Sequence, residues 1–268
     1  MAKPEPHETC VKLKSVRTVR RLWFVSALLA VAGALLIVLP SVLSGSEPEA
    51  APPIPVNTEA DVQFAGPPHA PTLAVVGASF AAGIGAGSPD RAWPADLGRL
   101  LHWRVVVSAD PGAGFVARGD HDRGPFDRLT GALNLSKLNP GLVIVQGGHN
   151  DAGASQALIA QRMRALIETI RHQAPDAKIG VLSVFCDQQG PTKAQRESDA
   201  TIVGAARRAD PSVLIFDPLT GHWQFPRIHD HLHPTPAGHQ DIANRLAAAL
   251  ARAGVVNTTR LAGDTRSS

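Results

Sequence analysis

Short apolar runs alternate along residues 72–253 with longer segments whose apolar positions recur every three to four residues. The runs at 73–76, 104–107, 142–145, 179–184 and 213–216 are dominated by Val, Ile and Leu, the composition of strands covered on both faces in a parallel sheet. Helical patterns fall between them. Residues 93–101 carry Pro94 in the first turn, 155–173 place Leu158, Met163, Leu166, Ile167 and Ile170 on one face, and 194–209 and 236–253 complete the set. This alternation predicts one α/β domain over residues 72–256, a three-layer sandwich with a five-stranded parallel sheet between helices. Open sheets of that kind bind ligands beyond the carboxyl ends of their strands, so the residues just after each strand carry the functional reading.

The N-terminal pattern is different in kind. Residues 22–39, LWFVSALLAVAGALLIVL, are 18 uncharged and almost wholly apolar positions, close to the roughly 20 that span a bilayer as a helix. Residues 1–21 hold six Lys and Arg against two Glu, and a basic flank stays on the cytoplasmic side. Together they predict a cytoplasmic basic tail at 1–21, a transmembrane signal anchor at 22–43 and a domain held outside the cell membrane. A cleaved signal peptide is the competing reading, although its apolar core is usually about 7 to 15 residues; it would secrete the same domain. Seven prolines between 44 and 71 predict an extended linker that buries too little apolar surface to fold. Residues 257–268 are expected to form a flexible tail.

Composition narrows the function further. With 268 residues and 44% apolar side chains, the chain is long enough for a real core. Of its net charge of +3, residues 1–21 carry +4 and leave the body near −1. The domain is therefore no polyanion-seeking surface, and no nucleic-acid partner is expected. Cys10 and Cys186 fall on opposite sides of the apolar span and give no disulfide framework.

The strand ends are chemically specific. GAS at 77–79 follows the first predicted strand, SADPGAGF at 108–115 closes the second, QGGHNDAG at 146–153 follows the third, and HDHLHPTPAGH at 229–239 comes after the fifth. A serine hydroxyl becomes a nucleophile when a base takes its proton, and the base needs a third group to fix its tautomer. Ser79, His233 and Asp230 are the candidates for those roles. The negative oxygen formed on an attacked carbonyl needs preorganised donors; the Ser79 and Gly112 N–H groups and the Asn150 side chain can supply them, with Gly114 as the alternative to Gly112.

In this order the four blocks resemble the SGNH hydrolases, the GDSL-type esterases and lipases, over roughly residues 72–253. The matching residues are Gly77-Ala78-Ser79, Gly112, Gly148-His149-Asn150-Asp151 and Asp230-His231-Leu232-His233. The resemblance implies a flavodoxin-like SGNH fold that hydrolyses a carboxylic ester of a small molecule, glycan or lipid, with no cofactor and no metal. It implies Ser79 as nucleophile, His233 as general base, Asp230 as its orienter, and Gly112 and Asn150 as oxyanion donors. Ala78 departs from the pattern, standing where the family usually has aspartate. That aspartate is understood to brace the loops around the site, so the departure bears on rigidity more than on chemistry. The same machinery would serve an acyltransferase, and a silent site would leave a glycan-binding module.

Other readings account for less. Gly83, Gly85 and Gly87 follow the serine as G-x-G-x-G, whereas a dinucleotide fingerprint reads G-x-G-x-x-G, although Asp110 stands where that motif places its acidic residue. His229, His231 and His233 surround Asp230, but zinc sites draw ligands from more than one segment. His149, His222 and His239 are read as surface or pocket-wall residues, and Trp223 and Phe225 as core or pocket lining.

Overall fold

The structure, a computed structural model, describes residues 60–256. In chain order its elements are β1 (Asp61–Phe64), β2 (Thr72–Gly77), α1 (Ser79–Ala82), α2 (Trp93–Leu101), β3 (Arg104–Ala109), α3 (Phe126–Leu133), α4 (Leu135–Leu138), β4 (Leu142–Gln146), α5 (Gln156–Gln173), β5 (Lys178–Leu182), α6 (Lys193–Ala209), β6 (Leu214–Phe216) and α7 (Pro236–Arg252). The expected basic tail, signal anchor and C-terminal tail lie outside the described residues, as does the linker up to residue 59. No described helix is long and apolar enough to cross a membrane.

The strands pair in the order β1-β3-β2-β4-β5-β6. β2 to β6 are mutually parallel, and counted among themselves they follow the 2-1-3-4-5 order of flavodoxin-like sheets. β1 adds an antiparallel edge beside β3, with Asp61 opposite Val107. The sheet is thus six-stranded, and its extra strand lies inside the stretch 44–71 expected to be linker. The segment DVQF offers no apolar run among its prolines; what holds it is tertiary, the ladder to β3 and Phe64 packing beside Leu97 and Val105.

Side chains alternate across the sheet. Leu73, Val75, Val105, Leu142 and Ile144 meet Trp93 and Leu97 of α2 and Ile242 and Leu246 of α7 on one face. Ala74, Val76, Val143, Val145 and Ile179 meet Phe126 of α3, Ile159 and Met163 of α5 and Ile202 of α6 on the other. Covering both faces is why the strand sequences read as unbroken apolar runs. Thr235 caps α7 by accepting the Gly238 N–H, with Pro236 in the first turn, and this sets where the chain leaves the loop that carries His233. The strand order reverses beside β2, so the carboxyl ends of β2, β3 and β4 border a crevice at the switch point.

Candidate active site

Ser79 opens α1 shortly after β2 and is half-buried. Its Oγ lies 2.8 Å from His233 Nε2, and His233 Nδ1 lies 2.6 Å from Asp230 Oδ2. The other carboxylate oxygen, Oδ1, accepts the N–H groups of Leu232 and His233, each at 2.9 Å. Burial works against ionisation of Asp230, but the His233 ring, these two amides and the charge His233 acquires outweigh it and hold the carboxyl at about 2. An ionised carboxylate on Nδ1 keeps the ring proton there and turns the Nε2 lone pair toward the hydroxyl. Both nitrogens of His233 are thereby engaged. Among the described residues no group of three or more His, Cys, Asp or Glu is arranged to hold a metal.

The glycine-rich stretch after Ser79 packs against this loop. A Cβ on Gly85 would stand 2.2 Å from the Pro234 carbonyl oxygen, so only glycine lets residues 83–87 lie beside the residue that follows His233. His239 of α7 holds the stretch from behind. Its Nδ1 accepts the Trp93 N–H at 3.2 Å and its Nε2 donates to Ile84 O at 3.0 Å. His239 is fully buried, which pushes its pKa down to about 4. The expectation of a surface or pocket-wall residue is corrected here: this histidine is a neutral core group that ties α7 to the chain following Ser79.

The donors for a developing negative oxygen are separable by what already occupies them. Gly114 N–H is bound to Ala117 O at 3.0 Å, whereas Ser79 N–H and Gly112 N–H have no protein acceptor among the described residues. Of the two glycines, Gly112 has the donor to offer. It sits at φ +74° as third residue of the turn 110–113, closed by Ala113 N–H on Asp110 O at 3.0 Å, the position where a type II turn requires glycine. Asn150 Nδ2 gives one hydrogen to Ala113 O at 2.8 Å, and a side-chain amide has a second to give. Buried Gln146 takes the Ala78 and Ala81 N–H groups on Oε1, at 3.3 and 3.2 Å, which leaves Ser79 N–H open at that turn. The arrangement can move a proton from serine to imidazole and stabilise an oxyanion, the two demands of acyl transfer.

Two buried carboxylates brace the opposite wall. Asp151 accepts the N–H groups of Phe115, Val116 and Ala117 at 2.8, 2.8 and 3.1 Å. Asp110, fully buried, meets His121 Nδ1 at 2.6 Å and accepts the N–H groups of His121 and Arg123 at 3.3 and 3.1 Å. A carboxylate committed inside its own loop is closed to a ribose, which removes the dinucleotide reading. Bracing thus comes from Gln146, Asp110 and Asp151 around a buried Ala78. The sequence blocks include Gln146 and Asp151 but give no signal of what Gln146 or His121 binds, because hydrogen-bond partners distant in sequence leave no spacing pattern. His149 is half-buried, its Nδ1 2.9 Å from Phe185 O and 3.1 Å from Gln195 Nε2, and Phe225 is core. Cys186 is free, with its thiol pushed up by burial, the opposite of an activated nucleophile. A cleft of about 670 Å³ opens near Arg171, Lys178, Asp210 and Ser212, at the start of β5. It lies at the amino end of the strands with no nucleophile-base pair, so chemistry rather than volume selects the Ser79 site.

The profile of the GDSL-like lipase/acylhydrolase family matches residues 75–240. The GDSL lipase Rv0518 of Mycobacterium tuberculosis is 30% identical over 191 residues, which cover 65% of this chain and 79% of that protein. A family two carbohydrate esterase from Clostridium thermocellum, solved in complex with cellohexaose, superposes with a TM-score of 0.56 at 19% identity over 72% of this chain and 68% of that one. The salicylyl-acyltransferase SsfX3 from a tetracycline biosynthetic pathway superposes with a TM-score of 0.52 at 19% identity over 69% of this chain and 55% of that one. At such identities the structural likenesses show the shared SGNH hydrolase fold.

Proposed function

Because the chain belongs to the GDSL-like lipase/acylhydrolase family and is a carboxylic ester hydrolase of the SGNH type, we propose that Ser79 is the residue it acylates. The observation that supports this most is the continuous relay from Ser79 Oγ through His233 to Asp230, at 2.8 and 2.6 Å. His233 Nε2 takes the hydroxyl proton as Oγ attacks the ester carbonyl, and Asp230 stabilises the imidazolium so formed. Ser79 N–H, Gly112 N–H and the free Asn150 hydrogen receive the oxyanion. The imidazolium then protonates the departing alkoxide, and a water deprotonated by the same nitrogen releases the acid. These steps call on no cofactor.

The lipase and the carbohydrate esterase among the relatives make lipid esters and acylated glycans the substrate classes to compare. The N-terminal pattern supports a domain tethered outside the cell membrane by residues 22–43, so protease added to intact cells should remove it. Turnover of p-nitrophenyl esters of increasing acyl length, with Ser79→Ala as control, tests the chemistry. Preference for acetyl favours a glycan deacetylase and tolerance of long chains a lipase. Delivery of the acyl group to an added sugar alcohol in preference to water would identify an acyltransferase. Full turnover by Ser79→Ala would overturn the assignment.

A further inference from the structure

In the turn 110–113 the closing hydrogen bond joins Asp110 O and Ala113 N–H, so the central peptide, Pro111 C=O with Gly112 N–H, takes no part in it. Types I and II differ by a flip of that peptide, with little change at the turn's ends. A peptide group carries its C=O and N–H in opposite directions. Flipped one way it offers a donor; flipped the other it offers a carbonyl oxygen where negative charge would form. The Asp120 N–H binds Pro111 O at 2.7 Å and decides the matter, because holding the oxygen aims Gly112 N–H the opposite way.

Asp120 is in turn held by its neighbours. The Asp110 carboxylate takes the N–H groups of His121 and Arg123 and meets the His121 ring. A buried carboxylate is tolerated when such donors surround it, and these donors come from the segment next to Asp120. Asp110 N–H is also bound to Gly77 O at 3.2 Å, two residues before Ser79, which ties the clamp to the strand that presents the hydroxyl. We propose that Asp110 is a positioning residue that, through residues 120–123, sets the direction of the Gly112 oxyanion donor. This rests on Ser79 being the nucleophile.

Asp110→Asn keeps the shape but sets an NH2 group against N–H donors. Activity is counted per active site, titrated with a fluorophosphonate. We expect kcat to fall roughly 10- to 100-fold with KM within about twofold, since a misaimed donor acts in the transition state. Affinity for a boronic acid, which forms a tetrahedral adduct on Ser79, should fall by the same factor as kcat. A plain loop brace would lower the number of titratable sites or the melting temperature and leave kcat per site unchanged; that result overturns the inference. If Asp110→Asn fails to fold, the His121 pair decides. His121→Asn, whose amide can replace Nδ1 as donor, should recover several-fold over His121→Ala, and equal rates would overturn the proposal. Full turnover by Ser79→Ala would instead remove the reading beneath it.

Discussion

The two loops that meet at Ser79 are held in opposite ways. The loop with Asp230 and His233 is fixed by neighbours in sequence: Asp230 binds the amides two and three residues on, and Thr235 caps the helix that follows. The loop with Gly112 is fixed largely from a distance. Asp151 takes amides 34 to 36 residues away, Asn150 reaches Ala113, and Asp110 gathers residues 121 and 123. The imidazole-carboxylate pair that takes the proton is therefore organised within one short segment, although the serine it serves lies 154 residues away, while charge stabilisation depends on the whole sheet edge. Substitutions distant in sequence should damage the second more readily than the first.

The largest effects belong to the locally built pair and the serine it serves. His233→Ala and Ser79→Ala should each remove about 10⁴-fold or more of kcat, and the double variant should lose hardly more than either alone, because the relay acts as a unit. Additive losses, measured as log kcat, would break the comparison at its strongest point. On the other side, Asn150→Ala should lower kcat by roughly 10² to 10³ with KM little changed. If Asn150 only supports a turn, calorimetry would show lost stability while kcat stays near normal.

A smaller effect concerns His239, which holds the stretch that follows Ser79. Its folded pKa of about 4 lies below the ordinary imidazole value of about 6.5, so the unfolded chain binds the proton more readily. Its contribution to stability is complete above about pH 6.5 and is lost as pH falls toward 4, on the order of 3 kcal/mol in total. Asp230, held at about 2, adds loss in the same direction at lower pH, between its ordinary carboxylate value and about 2. Denaturant unfolding between pH 7 and 4 should show this slope, and His239→Asn should flatten it. An unchanged slope would show that His239 does not titrate as its burial requires.

The same division decides what could be read from the sequence. The helix expected at 93–101 is Trp93–Leu101, and those expected at 155–173, 194–209 and 236–253 are Gln156–Gln173, Lys193–Ala209 and Pro236–Arg252, because period and caps are local signals. Ser79, Asp230 and His233 were legible for a similar reason, each lying in a short block at a strand end. β1 was not, since DVQF acquires its strand only by pairing with β3. Neither were α1, α3 and α4, which are too short to show a period. The sequence marks Asp110 only as a ribose candidate and gives no sign of Gln146 as a brace. Their roles come from partners such as Ala78, which lies 68 residues from Gln146, and no window of sequence contains both.

The central claim is that Ser79 is the nucleophile of the relay. Reaction of the purified protein with a fluorophosphonate, followed by intact mass and peptide mapping, tests it most directly. The account predicts a single adduct on Ser79, absent in Ser79→Ala and formed more slowly in Asn150→Ala. An adduct on another residue, or one that persists in Ser79→Ala, would contradict it.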